Sequence, residues 1–284
     1  MSSQLDTAKV TESTKLLDRR SIWERIPRSV SLTGFLLVVL GLWQILATSG
    51  WVSPFILPTP AAAFDALLSF CIAVFEGGAL RQALVITVVE ALLAFVLAVI
   101  LGVGFGFIVA ESAFGRIVLL PFLVALNAAP KVVFAPVFIA ALGFGIGSKV
   151  ALGAFIAFFP LLVDTAAGLA TTDRDKSQLF RSLRASRMQT LRMLQLPSSL
   201  PFIFAGMKTA SVLAVVGVVI GEFLGGGRGL GQQTKIAGDL LATDRVYAYG
   251  FVLAVLGYLF FAAVAFAERR VVFWQRPHGT TTGS

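Results

Sequence analysis

The feature that most constrains this chain is a series of long apolar segments that contain very few charges. A transmembrane helix needs about 20 consecutive, mostly apolar residues. Six segments are near or above that length: 31–48, 82–110, 117–141, 150–169, 202–221 and 246–267. Hydrophobic residues make up 57% of the chain and charged residues 13%, against roughly 45–50% and 25% in soluble domains. The sequence therefore predicts an all-α integral membrane protein with about six spans in residues 31–267.

The positions of lysine and arginine predict how the spans are oriented. These residues favour the cytoplasmic side of a membrane. They concentrate in residues 1–30, in the link between spans four and five, and in residues 268–284. We therefore expect both termini in the cytoplasm, with residues 1–30 as a tail and interfacial lead-in and 268–284 as a second tail. Topology and anionic lipid account for the net charge of +8 without nucleic acid.

Three segments on the opposite side carry turn signals. Residues 49–80 contain a stretch that Thr59 or Pro60 would open as a helix, and we expect that helix to lie along the outer interface. "FLGGGRGLGQQ" (223–233) predicts a flexible turn. "GFGIGSK" (143–149) predicts a tight loop that ends at a lysine.

A few polar residues and prolines fall within the spans. Glu90 lies in span two, and Asn127, Pro130, Lys131 and Pro136 lie in span three. Charged side chains are costly in lipid and usually face the interior of a helix bundle, and broken helices often line transport pathways. These five residues either line a substrate path or serve the structure, for example by pairing Glu90 within the bundle.

Several kinds of chemistry are excluded by composition. The chain has one cysteine and one histidine, too few for a metal site built on those ligands or for a Ser-His triad with a histidine inside the spans. It contains no G-x-x-x-x-G-K-[ST] phosphate loop. We expect no catalytic residue, no metal, no cofactor and no ATP-hydrolysing site in this chain.

The basic link contains the stretch "QLFRSLRASRMQTLRMLQLP", residues 178–197, which has four arginines and no acid. Asp173 or Asp175 is placed to cap the start of a helix that continues through this stretch, and Pro197 and Pro201 predict a break before span five. A short helix or helix pair fits this pattern. It serves either as an anchor on anionic lipid or as a docking site for a soluble partner.

This stretch resembles the cytoplasmic EAA loop of importer-type ABC transporter permeases. The family pattern is Glu-Ala-Ala, three residues, Gly, nine residues, a branched apolar residue, one more, then Leu-Pro, and it fits without a gap. Gln178, Leu179 and Phe180 stand at Glu-Ala-Ala, and Arg184 stands at Gly. Leu194, Leu196 and Pro197 close the pattern.

The resemblance assigns a role to this loop. It implies a coupling helix between spans four and five that seats on an ATPase and that includes Gln178, Leu179, Phe180, Arg181, Leu183, Arg184, Ala185, Ser186, Leu194, Leu196 and Pro197. The bulk at 179, 180 and 184, where the family has small residues, implies either a compensating partner surface or weaker coupling.

Other segments extend the resemblance to the nitrate/sulfonate/taurine branch of this permease family, among them "APKVVFAPVFIAALGFGIGSKVAL" (129–152) and "GEFLGGGRGLG" (221–231). The resemblance implies half of an importer pore in the bacterial inner membrane. Its partners would be a cytoplasmic ABC ATPase, a soluble outer binding protein and a second permease copy in a homodimer. The alternative is a secondary carrier or channel that uses Glu90, although no inverted repeat is visible.

Overall fold

A computed structural model describes residues 28–274. Most of the chain predicted as the N-terminal tail and the last part of the C-terminal tail lie outside the described residues. Within them, the chain forms helices joined by short turns. It divides into two compact units, one ending at Phe64 and the other beginning at Asp65.

The first unit contains α1, Arg28–Thr48, and the start of α2, Pro60–Glu76. The Trp43 indole donates a hydrogen bond to the Pro58 carbonyl at 2.9 Å. Thr59 opens α2, because its hydroxyl accepts from the Ala62 amide and Pro60 takes the first helical position. The predicted start of this helix is therefore confirmed, whereas its place at the outer interface stays a prediction.

The second unit contains three long helices that make up its core. These are α3, Ala79–Glu111; α6, Ile146–Ala170; and α9, Leu196–Gly225. Their buried contacts are mostly small residues: Ala94 and Ala98 on α3, Ala154 and Ala157 on α6, and Ala210 and Ala214 on α9. A Cβ added to Gly217 would lie 2.6 Å from the Gly153 Cα. Small residues thus allow close backbone approach, as is typical of helix packing in membranes.

The remaining helices of this unit are shorter or more peripheral. α4, Leu120–Asn127, follows a π-helical turn at Gly115–Leu119, and α5, Ala135–Leu142, follows a 3-10 turn at Lys131–Phe134. α7 is Arg174–Ser182, α8 is Arg187–Thr190, α10 is Leu230–Asp239 and α11 is Thr243–Val271. A second π-helical turn, Leu191–Gln195, joins α8 to α9.

Helix length and hydropathy agree with the predicted number of spans. Five described helices are long and apolar enough to cross a membrane, and the pair α4–α5 makes a sixth if it counts as one span. This pair is bent by 87° between Asn127 and Lys131, where Pro130 lies. The prediction of an all-helical membrane protein with about six spans is confirmed.

Two local predictions were wrong. Pro197 and Pro201 do not break the chain before the fifth span: Pro197 stands in the first turn of α9 and Pro201 lies inside it. The π-helical turn Leu191–Gln195 directly precedes Pro197, so the hydrogen-bond pattern is already shifted where the proline amide is missing, and Pro201 lies inside the helix that follows. The predicted loop at 143–149 is also shorter, because α6 begins at Ile146 and includes Lys149.

Candidate functional site

The basic link folds into a helix pair with its own capping groups. The Asp173 carboxylate accepts a hydrogen bond from the Asp175 amide at 2.9 Å, which starts α7. Ser186 starts α8 through a capping box, because its hydroxyl accepts from the Gln189 amide and the Gln189 side chain accepts from the Ser186 amide. The expected helix pair and the Asp173 cap are both present.

The turn between α7 and α8 is a Schellman motif centred on Arg184. The Ala185 amide donates to the Phe180 carbonyl at 2.9 Å, and the Arg184 amide donates to the Arg181 carbonyl at 3.0 Å. Arg184 has φ +54°, a left-handed conformation that glycine adopts most readily. The position that is Gly in the resembled pattern is thus the position that needs this conformation.

The helix pair exposes apolar and cationic side chains side by side. Leu179, Leu183 and Met188 are 56%, 70% and 55% exposed. Of the other coupling-loop residues, Gln178, Arg181, Arg184 and Ser186 are exposed, Phe180, Ala185, Leu196 and Pro197 are half-buried, and Leu194 is buried. We call α7 and α8 with their turn, residues 174–190, the helix pair. Its exposed arginines and Met188 are residue types that are enriched at protein interfaces.

The helix pair is joined firmly to the core. Leu194 is buried, and Leu191 packs against Val109, Ala166 and Leu169 of α3 and α6. The helical run continues from Arg187 to Gly225 without an interruption. A displacement of the helix pair would therefore act directly on α9.

The five predicted path residues do not form one site. Lys131 lies at the bend between α4 and α5, where its ammonium donates to the Asn127 carbonyl at 2.5 Å and lies 5.4 Å from the centre of the Phe159 ring. Pro130 and Pro136 are exposed nearby. Glu90 lies elsewhere, buried on α3.

Glu90 is paired within the bundle, as the structural alternative expected, in a buried charge cluster whose other members the sequence did not identify. The Lys149 ammonium lies 3.4 Å from a Glu90 carboxylate oxygen, and both side chains are almost fully buried. Glu222 on α9 is also buried and lies within electrostatic reach of both groups. The sequence predicts Lys149 at the end of a loop, and its partner is 59 residues away in sequence, so no local pattern connects the two.

Glu222 makes two hydrogen bonds, one with α3 and one with the segment after α9. Its carboxylate accepts from the Thr87 hydroxyl and from the Gly231 amide, each at 2.6 Å. The Thr87 oxygen in turn accepts from the Leu230 amide at 2.8 Å. The predicted turn is present, its flexibility stays a prediction, and the glycine-rich loop, Gly225–Gly231, lies close around a buried carboxylate.

The described residues contain no group of three or more His, Cys, Asp or Glu side chains placed to hold a metal ion. The helix pair and the charge cluster have different chemistry. The helix pair is exposed, whereas the charge cluster is a buried ionic network that connects α3, α6 and α9.

Comparison with known proteins gives the class. Residues 98–273, more than half of the chain, match the family described as "Binding-protein-dependent transport system inner membrane component". The chain belongs to this family of importer permeases, multi-pass proteins of the bacterial inner membrane.

Similar curated proteins span nearly the same length. The chain is 30% identical to the formylaminopyrimidine transport permease protein ThiX of Halalkalibacterium halodurans, over 89% of this chain and 99% of that protein. It is 30% identical to the taurine transport system permease protein TauC of Escherichia coli, over 92% and 96%. Among solved structures, it is similar in fold to the MetNI methionine ABC transporter in an inward-facing form, with a TM-score of 0.57 and 18% identity over 70% of this chain and 97% of that chain.

Proposed function

We propose that this chain forms half of the translocation path of an ATP-driven importer and that the helix pair is its contact with a separate ATPase subunit. The observation that carries the proposal is the helix pair itself. It exposes Leu179, Leu183 and Met188 beside arginines, and it continues into α9. An ATPase seated there is able to move a core helix without a flexible link between them.

The proposed assembly has two permease copies, two ATPases and one soluble binding protein on the outer side. The helix pair then faces the cytoplasm, and the segment 223–245 faces the binding protein. This orientation agrees with the concentration of basic residues in the link that contains the helix pair. The ATPase is a separate chain in this proposal, in agreement with the absence of a phosphate loop from the sequence.

The names of similar permeases support a substrate class for this importer. Permeases similar to this chain are named for taurine, aliphatic sulfonates, nitrate and formylaminopyrimidine. We infer that this importer carries a small polar metabolite of that kind, such as a sulfonate, taurine or nitrate. The secondary-carrier alternative is not favoured, because Glu90 is paired with Lys149 in the buried core.

The test is a mild-detergent pull-down of the tagged chain from its native membrane, with mass spectrometry of the proteins that come with it. Arg184→Asp reverses a charge on the exposed turn, and deletion of 181–187 removes the turn. Each change should reduce the recovered ATPase at least about tenfold. The charge reversal places an acid in the proposed interface, which costs more than about 1.4 kcal/mol, and the deletion removes the contact surface itself.

Arg228→Asp is the matched control, because Arg228 is also exposed but lies in the glycine-rich loop. It should leave ATPase recovery unchanged. Recovery of the ATPase at wild-type levels with both altered helix pairs would refute the proposed contact.

A further inference from the structure

The start of α10 has no capping side chain of its own. Its N-terminal flanking residue is Gly229, which offers none. The first amides of a helix lack partners within the helix and must find acceptors elsewhere. Here the Leu230 amide donates to Thr87 of α3, and the Gly231 amide donates to Glu222 of α9. Two core helices therefore supply the cap of a third.

The acceptors suit this task electrostatically. The N-terminus of a helix carries partial positive charge and favours a nearby carboxylate. Glu222 and Thr87 are completely buried, so neither hydrogen bond competes with water. The Thr87 hydroxyl joins the two acceptors, because it donates to Glu222 and accepts from Leu230.

The glycine-rich loop is shaped by the same carboxylate. A Cβ added to Gly229 would overlap the Glu222 carboxylate, and a Cβ on Gly231 would lie 2.6 Å from its oxygen. Gly227 has φ +114°, and a Cβ there would collide with the Lys149 ammonium. Glycine is needed at these positions because the backbone passes so close to buried charges that a side chain would collide with them.

Apolar packing completes the attachment of α10, and the far end of the helix presents exposed side chains. Leu230 and Ala237 pack against Phe70 and Tyr249 in a buried apolar cluster. The far end of the helix exposes Ile236, Leu240 and Leu241, which are 40%, 70% and 58% exposed. We call these three residues the α10 tip. Its orientation is set by the contacts at the start of the helix together with the packing of Ala237.

We propose that Glu222 and Thr87 are positioning residues for recognition of the binding protein: they fasten α10 to α3 and α9 so that the α10 tip is held in one orientation for docking. This inference rests on the proposed function, in which segment 223–245 receives the binding protein. A pre-oriented surface loses less conformational entropy on association, so loosening the fastening weakens docking without a change in any contact residue.

The experiment compares three changes at the fastening with one control. Thr87→Val keeps the side-chain shape and removes the hydroxyl, whereas Thr87→Ser keeps the hydroxyl. Glu222→Gln keeps one acceptor oxygen. Thr209→Val is the control, because the Thr209 hydroxyl is exposed on α9 and bonds within its own helix. Each tagged chain is cross-linked in its native membrane and purified, and the recovered ATPase and binding protein are quantified.

The expected result is a split between the two partners. Thr87→Val should lower the ratio of binding protein to ATPase roughly tenfold, the factor for losing a hydrogen bond to a charged group, and Glu222→Gln should lower it less. Thr87→Ser and Thr209→Val should match wild type. Amide hydrogen exchange in residues 229–240 should rise in Thr87→Val alone among the threonine variants.

Three outcomes would overturn the inference: an unchanged ratio in Thr87→Val and Glu222→Gln, equal loss of both partners, or unchanged amide exchange in 229–240. The test also separates this inference from the proposed function. If the wild-type chain recovers neither partner, the proposed function fails, and the inference that rests on it fails as well. If the wild-type chain recovers both and the variants do too, only the positioning role is lost.

Discussion

At the scale of single residues, the most informative feature is a buried cluster with two carboxylates and one ammonium. Glu90, Lys149 and Glu222 are all nearly inaccessible. One Glu90 oxygen has no hydrogen-bond partner, and Lys149 lies within electrostatic reach of both acids. The three positions are therefore unequal: Lys149 is the one base beside two acids, whereas Glu90 keeps one oxygen without a partner among the described residues.

This difference predicts that loss of the Lys149 charge costs more stability than loss of the Glu90 charge. Lys149→Met leaves two buried carboxylates without a cation and should destabilise the protein by about 3–5 kcal/mol. Glu90→Gln leaves one acid and one base, and its amide supplies a donor where the unpaired oxygen lies. It should cost less than about 1.5 kcal/mol. Thermal unfolding in detergent, followed by tryptophan fluorescence, measures both.

The exposed pair Lys235–Asp239 supplies the control. Its atoms are 2.6 Å apart, but both side chains are largely exposed, so Lys235→Met should change stability by less than about 1 kcal/mol. If Glu90→Gln were as damaging as Lys149→Met, the assignment of Lys149 as the shared partner would be incorrect.

At the scale of secondary-structure elements, the turn of the helix pair shows how a family pattern and a backbone conformation are related. The resembled pattern has Gly where this chain has Arg184, and Arg184 adopts the left-handed conformation that closes the Schellman motif. A non-glycine residue there costs about 1–2 kcal/mol in an L-amino-acid chain. Arg184 therefore makes the turn less stable than glycine would at the same position.

Arg184→Gly should therefore stabilise the turn by about 1 kcal/mol, which slows amide exchange in residues 183–186 roughly fivefold. Arg181→Gly should do the reverse, since Arg181 lies in the last turn of α7 and glycine costs about 1 kcal/mol inside a helix. Hydrogen exchange with mass spectrometry compares the two. Faster exchange in Arg184→Gly would show that the turn is not strained.

The elements that sequence predicted are those set by local rules. Span number follows from apolar length, the bend follows from Pro130, and the cap at Asp173 follows from its side chain. The sequence did not reveal that Lys149 meets Glu90 or that Glu222 meets Thr87, because these contacts join residues 59 and 135 positions apart. For the same reason, the sequence did not reveal that the glycines near 227 lie against buried charges, because those charges belong to other helices.

At the scale of the whole molecule, the helix pair and the α10 tip are separate exposed surfaces attached to the same helix. The helix pair leads into the start of α9, and the glycine-rich loop follows its end. The helical run Arg187–Gly225 has 39 residues, or about 58 Å of helix at 1.5 Å per residue, which is longer than a bilayer is thick. One element thus joins the proposed ATPase contact to the proposed binding-protein contact.

The most direct test places a photo-crosslinking amino acid at Leu183 or at Leu240 and irradiates cells that contain the native partners. The two positions are matched, because each side chain is 70% exposed. Leu183 should cross-link to an ABC ATPase and Leu240 to a soluble binding protein. Two results would contradict the account: cross-linking of both positions to the same partner, or no ATPase at Leu183 while Leu240 still captures a binding protein. Either would show that the helix pair and the α10 tip do not contact different partners.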